Sequence, residues 1–405
     1  MFQPLPDTLL CSLADEYGTP LYVYDGNKIA SQYQQLLQAF TPDKTRFFYA
    51  CKALTNQNIL QLIQRMGCGI DCSSINEAHL AVRAGFTPSH ILYTSNGIDF
   101  SEIVAATELG IHINIDSLSN LEKFGARFGH SYPVGIRLRP NIMAGGNLKI
   151  STGHEKSKFG IPIEDINKIT ELVAKYNLHI TSLHVHTGSE IKDVEVFLQV
   201  ARILIPLLPL FPELKCMDMG GGFKVPYRDE ETGTNLIELG AKTKAIQDEI
   251  ASTLGRNLEV WFEPGKFLVS ECGYLITRVN VLKQSGSITF AGVDSGFNQL
   301  IRPMFYDAYH HIYNLSNPEG TPRIYSVVGN ICETDTFASD RKINEIREGD
   351  LLAILNTGAY GYTMSNNYNS RPRPAEVLWY KGTLQLIRRR ETLEDIIKVM
   401  VPAEI

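Results

Sequence analysis

Short apolar and β-branched runs alternate with amphipathic stretches between about residues 45 and 265 of the chain. In two of the amphipathic stretches, apolar residues recur at the i, i+3, i+4, i+7 spacing of a helix with one buried face. They are Ile59, Leu62, Ile63 and Met66 in the first stretch, and Val194, Phe197, Leu198 and Ala201 in the second. The runs that we predict as strands are Phe47–Ala50, Gly69–Asp71, Ile91–Tyr93, Ile111–Ile115, Val134–Leu138, Thr181–Val185, Cys216–Met219 and Glu259–Phe262.

This alternation predicts the fold class of the first part of the chain. Eight strands interleaved with helices over roughly 220 residues are the pattern of a (β/α)8 barrel. A doubly wound open sheet has the same alternation and is the competing prediction. We therefore predict an α/β chain whose TIM-like barrel domain covers residues 27–267.

After about residue 268 the pattern changes to strands joined by turns, such as Ser285-Gly286 and Lys381-Gly382. The predicted strands are Tyr274–Val281, Arg323–Val328, Asp350–Leu355 and Ala375–Tyr380, and a helical pattern returns only at Leu393–Val399. The strand-like segment Leu21–Tyr24 precedes the barrel and is a candidate to pair with these strands. We predict a second, mainly β domain, sandwich-like or barrel-like, formed by residues 1–26 and 268–405.

The composition favours a globular protein without a nucleic-acid or membrane partner. Of the 405 residues, 44% are hydrophobic and 20% are charged, which is enough apolar material for sizeable cores. A formal net charge of −6 provides no overall positive field for nucleic acid. The longest apolar run, residues 203–211, is short and interrupted by proline, and the start of the chain lacks the features of a signal peptide. The seven scattered cysteines then predict reduced thiols, a cytoplasmic location and no structural metal site.

Chemically reactive side chains and glycines follow most of the predicted barrel strands. They are Lys52, Asp71, Arg137, His184, His186, Gly220, Gly221, Gly222, Glu263, Gly265 and Lys266. The carboxyl ends of the strands of a barrel converge on one face, where catalytic residues collect. We therefore predict an active site at this face.

Lys52 and the glycines at 220–222 each have two interpretations. A lysine after a strand is commonly a surface residue, but at a barrel mouth it can form a Schiff base. The three glycines form a tight turn or, with their N–H groups turned toward an anion, bind a phosphate after the seventh strand. The hydroxyl of Ser189 is a further candidate donor to that phosphate.

The two histidines, Glu263 and Cys332 also have both structural and chemical interpretations. His184 and His186 are two positions apart on a strand and share a face. They are a candidate metal pair but, with no third ligand evident nearby, we favour one imidazole packed on an aromatic cofactor. Glu263 is an ordinary strand-end carboxylate or the partner of a heteroaromatic N–H⁺. Cys332 is a buried core thiol or an exposed one that transfers a proton.

A series of short motifs resembles the fold-type III pyridoxal-phosphate decarboxylases, and most closely the diaminopimelate decarboxylases among them. Each motif is modest alone, but their order covers nearly the whole chain. The motifs are Tyr49–Ala53, Gly69–Asp71, Ser157–Gly160, His184–Ser189, Met219–Phe223, Glu263–Lys266, Leu300–Pro303, Cys332–Asp335, Gly358–Tyr360 and Tyr368–Pro372.

The resemblance implies a barrel that carries pyridoxal 5'-phosphate. Lys52 would hold this cofactor as a Schiff base, His186 would stack on its ring, and Glu263 would pair with its pyridine nitrogen. The other matching cofactor positions are Ser189, Gly220, Gly221 and Gly222 at the phosphate, Asp71 and Arg137 near the Schiff base, and Gly265, Lys266 and Tyr360.

The resemblance also implies a substrate and a partner. Decarboxylation of meso-2,6-diaminopimelate would give L-lysine and CO2, the last step of lysine biosynthesis. The matching substrate positions are Lys266, Arg302, Tyr306, Glu333 and Tyr360. A homodimer with shared active sites is implied, in which Cys332 and Glu333 reach in from the partner subunit and Cys332 delivers a proton to the former α-carbon.

The chain departs from the family pattern at three places. Lys266 stands where an arginine that helps to hold the substrate carboxylate is usual, and Asn330 stands where proline is common. The motif after His186 reads Thr-Gly-Ser-Glu instead of the commoner apolar-Gly-Ser-Gln.

Three other functions compete with diaminopimelate decarboxylation. The first is a related decarboxylase acting on lysine, ornithine or a carboxylated polyamine. An alanine racemase-like enzyme is disfavoured by Glu263, because that class typically has an arginine beside the pyridine nitrogen. A non-catalytic cofactor-binding protein is disfavoured by the long β domain.

Overall fold

The computed structural model describes residues 4–142, 153 and 157–403, so the first three and last two residues of the predicted β domain lie outside it. The chain divides into two compact units. One unit, the barrel unit, comprises Gln32–Val225 and Thr232–Leu268, and the other, the β-rich unit, comprises Met1–Ser31, Pro226–Glu231 and Val269–Ile405.

The strands and helices are numbered along the chain. The strands are β1 (Leu21–Asp25), β2 (Thr45–Ala50), β3 (Gly69–Cys72), β4 (Ile91–Thr94), β5 (His112–Ile115), β6 (Val134–Arg139), β7 (Ile161–Pro162), β8 (Ile180–His184), β9 (Cys216–Asp218), β10 (Glu259–Phe262), β11 (Gly273–Ser285), β12 (Ile288–Val293), β13 (Ile312–Asn314), β14 (Pro322–Val328), β15 (Thr336–Asn344), β16 (Leu351–Leu355), β17 (Ala375–Tyr380) and β18 (Thr383–Arg388). The helices are α1 (Asp7–Tyr17), α2 (Gly26–Ala39), α3 (Gln57–Arg65), α4 (Ile75–Ala84), α5 (Phe100–Glu108), α6 (Leu118–Phe128), α7 (Ile166–Tyr176), α8 (Glu195–Leu204), α9 (Leu236–Leu254), α10 (Lys266–Val269), α11 (Arg302–Tyr306) and α12 (Leu393–Ile397).

The parallel sheet of the barrel unit closes on itself. Strands β2, β3, β4, β5, β6, β8, β9 and β10 pair in that order, and β10 then pairs with β2. The closing register runs from Val260 opposite Thr45 to Phe262 opposite Phe47. The short strand β7 pairs with the end of β6 and lies outside this ring of eight. Because an open sheet has two edge strands and the ring has none, the predicted (β/α)8 barrel is confirmed and the doubly wound alternative is wrong.

Every second side chain of a barrel strand points into the barrel. One buried cluster contains side chains from four different strands, namely Phe48, Leu92, Cys216 and Trp261. Side chains from opposite sides of a barrel can meet only in its interior, so these four residues point inward. The rings of Phe48 and Trp261 pack with their centroids 4.8 Å apart. Since the period is two, the residue two positions after each of these lies in the next interior layer, toward the carboxyl end of the strands.

Side-chain caps begin several of the helices that surround the barrel. Ser74, Ser117 and Asn235 each accept a hydrogen bond from a backbone N–H of the first turn of α4, α6 and α9. Such caps satisfy N–H groups that have no partner within the helix. Gly85 ends α4 with a φ of 96°, a left-handed conformation that glycine adopts without steric cost.

The β-rich unit is built on one sheet with the order β15-β14-β12-β11-β1-β17-β18, and β16 pairs with both β11 and β13. The early strand β1 lies between β11, to which it is antiparallel, and β17, to which it is parallel. The expectation that the Leu21–Tyr24 segment pairs with later strands is therefore confirmed. The buried core of this unit includes Leu21, Val23, Ile276 and Val377.

Strands β12, β13, β15 and β18 are present although the sequence patterns did not indicate them. Long parts of β15 and β18 are exposed on both faces, so they lack the alternation of apolar and polar residues that predicts a strand. Strand β13 has only 3 residues, too few for a pattern. In the described part of the chain, every helix is too short or too polar to cross a bilayer.

Candidate active site

A layer of charged side chains lies at the carboxyl end of the barrel strands. Arg137, His184 and Asp218 lie opposite one another in the registers of β6, β8 and β9. Glu263 comes two positions after Trp261, the residue of β10 that lies opposite Asp218. All four charged or polar side chains are buried. The alternation of side chains along the strands that forms the buried cluster of Phe48 and Trp261 therefore also brings these four polar groups together.

Lys52 lies in a single 3-10 turn, Cys51–Ala53, directly after β2. Its Nζ is 3.9 Å from Oδ2 of Asp71 and 3.3 Å from Oγ of Ser73. The Lys52 side chain is 47% exposed, whereas that of Asp71 is only 3% exposed. An accessible amine held beside a buried carboxylate is suited to react with a carbonyl group.

Glu263 and His184 form a buried hydrogen-bonded pair. Burial lowers the pKa of His184, so its imidazole is neutral and Nε2–H donates to Oε2 of Glu263 over 3.3 Å. Burial alone favours the neutral form of Glu263. The hydrogen bond from His184 and the positive charge of Lys52 outweigh burial and lower the pKa of Glu263. Glu263 therefore carries a negative charge at neutral pH.

Asp71 and Asp218 are two further buried carboxyl groups in the charged layer. Burial, and next the charge of Glu263, raise the pKa of each of them. Ligand-type atoms of His184, Asp218 and Glu263 lie within 4.8 Å of one another. The sequence shows no third candidate ligand near His184 and His186. In the structure, neighbouring strands bring Asp218 and Glu263 close to His184.

The glycines at 220–222 form the loop after β9. A Cβ on Gly221 would lie 2.1 Å from the backbone oxygen of Glu263, and a Cβ on Gly222 would lie 2.2 Å from a backbone oxygen of the preceding loop. Gly222 also has a φ of 99°. The N–H of Gly221 donates to Nδ1 of His186 over 3.1 Å, and desolvation lowers the pKa of that imidazole to about 3. The loop thus requires glycine and holds a neutral His186.

The motif at residues 157–160 positions Arg137. The ring centroid of Phe159 is 4.8 Å from Cζ of Arg137, so the guanidinium packs on the aromatic face. Nη1 of Arg139 donates to the backbone oxygen of Ser157 over 2.7 Å and ties the same motif to β6. The guanidinium of Arg137 is therefore fixed among buried acids, and its field favours their ionised forms.

Lys266 and Glu190 form an ion pair inside the barrel unit. The Lys266 side chain is 9% exposed, so this pair is largely shielded from water. Glu190 has a φ of 63° in the loop after β8. Two of the departures from the family pattern are lysine for arginine at 266 and glutamate for glutamine at 190. They belong together, because the negative charge of Glu190 neutralises Lys266. Ser189, half-buried, precedes Glu190, and Gly265 precedes α10.

Arg302 is a buried cation of the β-rich unit, 6% exposed. Its Nε and Nη2 lie 3.4 Å from Nε2 of His310 and from the hydroxyl of Tyr227. In the described ranges no carboxylate pairs with Arg302, although buried cations are usually paired. Tyr306, at the end of the same short helix, is half-buried.

Cys332 and Glu333 are exposed in the segment between β14 and β15 of the β-rich unit. The amide Nδ2 of Asn369 lies 3.4 Å from Sγ of Cys332, and the hydroxyl of Tyr368 donates to Glu333. The predicted thiol is therefore accessible in this chain.

Tyr360 has a φ of 57°, which is uncommon for a tyrosine. Uncommon backbone conformations of this kind cluster at functional sites.

Comparison with known proteins decides the family. Residues 26–270 match the family described as "Pyridoxal-dependent decarboxylase, pyridoxal binding domain". A protein of Methanothermobacter thermautotrophicus named diaminopimelate decarboxylase is 40% identical, over 97% of this chain and 94% of that protein. The chain belongs to the pyridoxal-dependent decarboxylase family. The predicted resemblance and the predicted cofactor are confirmed.

Solved structures of this decarboxylase family support the same assignment. A crystal structure titled diaminopimelate decarboxylase has a TM-score of 0.91 and 34% identity, and covers 98% of each chain. The diaminopimelate decarboxylase of Helicobacter pylori, complexed with L-lysine, has a TM-score of 0.87 and 33% identity, over 96% of this chain and 98% of that one.

The charged layer fits the pyridoxal phosphate that the decarboxylase family uses. Oε1 of Glu263 is buried and accepts no hydrogen bond from any described residue, so it can accept one from a ring N–H⁺. Lys52 supplies the accessible amine for the aldehyde. The glycine loop supplies backbone N–H groups without side chains that would keep a phosphate away. The assignment of individual site residues remains a prediction.

Proposed function

We propose that this chain is a carboxy-lyase that converts meso-2,6-diaminopimelate to L-lysine and CO2, the last step of lysine biosynthesis. The observation that carries the reaction class is the buried, ionised Glu263 in the same charged layer as Asp71, whose carboxylate lies beside the Lys52 amine. The names of the relatives, and the L-lysine bound to one of them, support the substrate and the product.

In this proposal the barrel unit binds pyridoxal phosphate. Lys52 holds it covalently through Nζ, Glu263 accepts a hydrogen bond from its ring nitrogen, and the neutral imidazole of His186 packs against its ring. The remaining cofactor-binding residues are Gly220, Gly221, Gly222 and Ser189 at the phosphate, Asp71 and Arg137 near the lysine, and Gly265, Lys266 and Tyr360.

The chemistry divides between the cofactor and the chain. When bound, pyridoxal phosphate supplies an electron-poor ring that takes up the electron pair left by departing CO2. Glu263 keeps a negative charge near the ring nitrogen, and this favours a proton on that nitrogen. Cys332 holds at Sγ the proton that replaces the lost carboxylate on the α-carbon.

Substrate choice in this proposal depends on the distal end of diaminopimelate. Arg302 is buried and pairs with no carboxylate among the described residues, so an anionic ligand that binds it recovers a cost of about 1–3 kcal/mol. A guanidinium binds a carboxylate through two parallel hydrogen bonds. Tyr306, Glu333 and Tyr360 complete the proposed substrate site.

The alternative function is decarboxylation of lysine, ornithine or a carboxylated polyamine. The ion pair between Lys266 and Glu190 favours this alternative. A lysine that a glutamate already neutralises attracts a substrate carboxylate less strongly than a free cation does. The buried Arg302, which no carboxylate in the described part of the chain neutralises, favours diaminopimelate.

A panel of amino acids tests the substrate. We expect CO2 release from meso-2,6-diaminopimelate with a kcat/KM at least about 10²-fold above that for L-lysine or L-ornithine, because both lack the distal carboxylate and leave a buried cation unpaired. The measurement is CO2 release by the purified chain with added pyridoxal phosphate, and the carboxylated polyamine carboxynorspermidine is included. Turnover of any of the other three without turnover of diaminopimelate would overturn the substrate assignment.

We further propose a cytoplasmic homodimer in which each active site uses Cys332 and Glu333 of the partner subunit. The exposure of both residues in the single chain supports this arrangement. A thiol that acts on the substrate must be able to reach it. In a two-fold symmetric dimer, Cys332 of each subunit can reach the active site of the other subunit.

Mixing two inactive variants tests the shared site. Lys52→Ala and Cys332→Ala are each expected to turn over slowly, but co-refolded equal mixtures should regain about one quarter of the native activity. Half of the dimers are then mixed, and each mixed dimer holds one intact site. The measurement is the rate of CO2 release after subunit exchange, with each variant alone as the control. If the mixture is no faster than the variants alone while mixed dimers are present, the sites are not shared.

A further inference from the structure

Asp218 is a buried carboxyl group that the chemistry described above does not use. Its side chain is 0% exposed. It ends β9, opposite His184 on one neighbouring strand and opposite Trp261 on the other. Its Oδ1 accepts a hydrogen bond from the N–H of Gly220 over 2.9 Å, so it also contacts the start of the glycine loop.

A carboxyl oxygen of Asp218 lies within 4.8 Å of a carboxyl oxygen of Glu263. If both were ionised, no donor in the described part of the chain would reach Oδ2 of Asp218 or Oε1 of Glu263. Two buried carboxylates this close repel each other, and one proton on such a pair relieves the repulsion. The geometry therefore favours protonation of one of the two carboxyl groups.

The surroundings of the pair decide which carboxyl group holds the proton. Glu263 accepts the hydrogen bond of His184 and lies in the field of the positively charged Lys52. Among the described residues, the backbone N–H of Gly220 is the hydrogen-bond donor to the Asp218 carboxyl group. Two more groups complete the layer, Asp71, which opposes ionisation of Asp218, and Arg137, which lies one strand further away. The negative charge therefore lies on Glu263.

We propose that Asp218 is a positioning residue that stays protonated at neutral pH and donates its proton to Glu263. This proposal rests on the proposed role of Glu263 toward the ring nitrogen of the cofactor. A carboxylate that accepts hydrogen bonds from both His184 and Asp218 is fixed in orientation and is a weaker base than a free one. The proton shared with the cofactor then stays on the ring nitrogen, where it is needed.

Infrared spectroscopy of the cofactor-free protein tests the protonation state without any reference to catalysis. We expect the wild-type protein at pH 8 to show a C=O band of a buried protonated carboxyl group, and Asp218→Asn to lack it. Asp71→Asn serves as the matched control, because Asp71 is also a buried acid with a raised pKa. In Glu263→Gln the band of Asp218 should weaken, since the repelling charge is gone. Asp71→Asn should keep the component of the band that Asp218→Asn loses. A carboxyl C=O spectrum that is the same in Asp218→Asn as in the wild-type protein, or that is unaffected by Glu263→Gln, overturns the proposal.

A pH titration of the holoenzyme tests the link to the cofactor. Asparagine can still donate to Glu263, so Asp218→Asn should keep the wild-type pH dependence of the absorbance of the bound cofactor. Asp218→Leu removes the donor, so its titration curve should shift by at least about one pH unit, a tenfold change in proton affinity. A shifted curve for Asp218→Asn, or the same curve for all three proteins, contradicts the role. If Asp218→Leu does not fold, the asparagine variant and the infrared measurement still decide. Absence of decarboxylation together with the expected infrared bands would refute the proposed function but not the shared proton.

Discussion

Lys52→Ala is expected to lower the rate of CO2 release by about 10³-fold or more, even with excess pyridoxal phosphate. The substitution removes the accessible amine that lies 3.9 Å from the carboxylate of Asp71. Without this amine the cofactor has no covalent attachment to the barrel and no longer lies in a fixed position beside Glu263. The measurement is single-substrate turnover, together with the visible absorbance of the bound cofactor, and both should be lost.

Two further variants make this test specific. Lys52→Arg keeps the positive charge near Asp71 but has no amine that condenses with an aldehyde, so it should be as inactive as the alanine variant. Lys44→Ala removes a lysine from the opposite end of β2 and should leave turnover unchanged. Native turnover by Lys52→Ala, or recovery of the rate in Lys52→Arg, would refute the role of the amine.

Glu263→Gln is expected to lower kcat by about 10²–10³-fold, the usual cost of removing one pre-organised electrostatic contact. Glutamine has almost the same shape and still accepts the hydrogen bond of His184, but it carries no charge. The ring nitrogen of the cofactor then loses the anion that favours its protonated form. The measurement is kcat and KM with the cofactor saturating, and the loss should appear in kcat because the substrate is not contacted.

Glu259→Gln is the matched control for Glu263. Both residues lie at the ends of β10, but the Glu259 side chain is 41% exposed and accepts a hydrogen bond from Trp261, which glutamine also accepts. This variant should therefore retain native kcat. An equal loss in the two variants would mean that Glu263 acts through the stability of the strand and not through its charge.

The barrel could be predicted because each of its strands is short, apolar and bounded by a helix. The predicted strand at Glu259–Phe262 coincides with β10, and the other predicted barrel strands differ from the observed ones by at most two residues at either end. The β-rich unit was predicted less completely, because β15 and β18 are held by backbone pairing to β14 and β17 and not by a buried face. Backbone pairing leaves no pattern in the side chains.

The candidate site shows the same division. Lys52 and Glu263 could be singled out because each follows a strand whose end the sequence reveals. The proximity of Asp218 to Glu263 and the ion pair of Lys266 with Glu190 could not be predicted, because each depends on which strands and loops are neighbours in space. A signal for Asp218 was nevertheless present: it is two positions after the interior residue Cys216, and alternation therefore directs it into the barrel.

The most direct test of the account is the site of covalent attachment of the cofactor. The purified chain is incubated with pyridoxal phosphate, reduced with borohydride and digested, and the modified peptide is identified by mass spectrometry. We predict one stoichiometric reduced adduct on the peptide that contains Lys52, and none on that peptide in Lys52→Arg. A stoichiometric adduct on another lysine, or no adduct at a concentration of cofactor that supports decarboxylation, would contradict it.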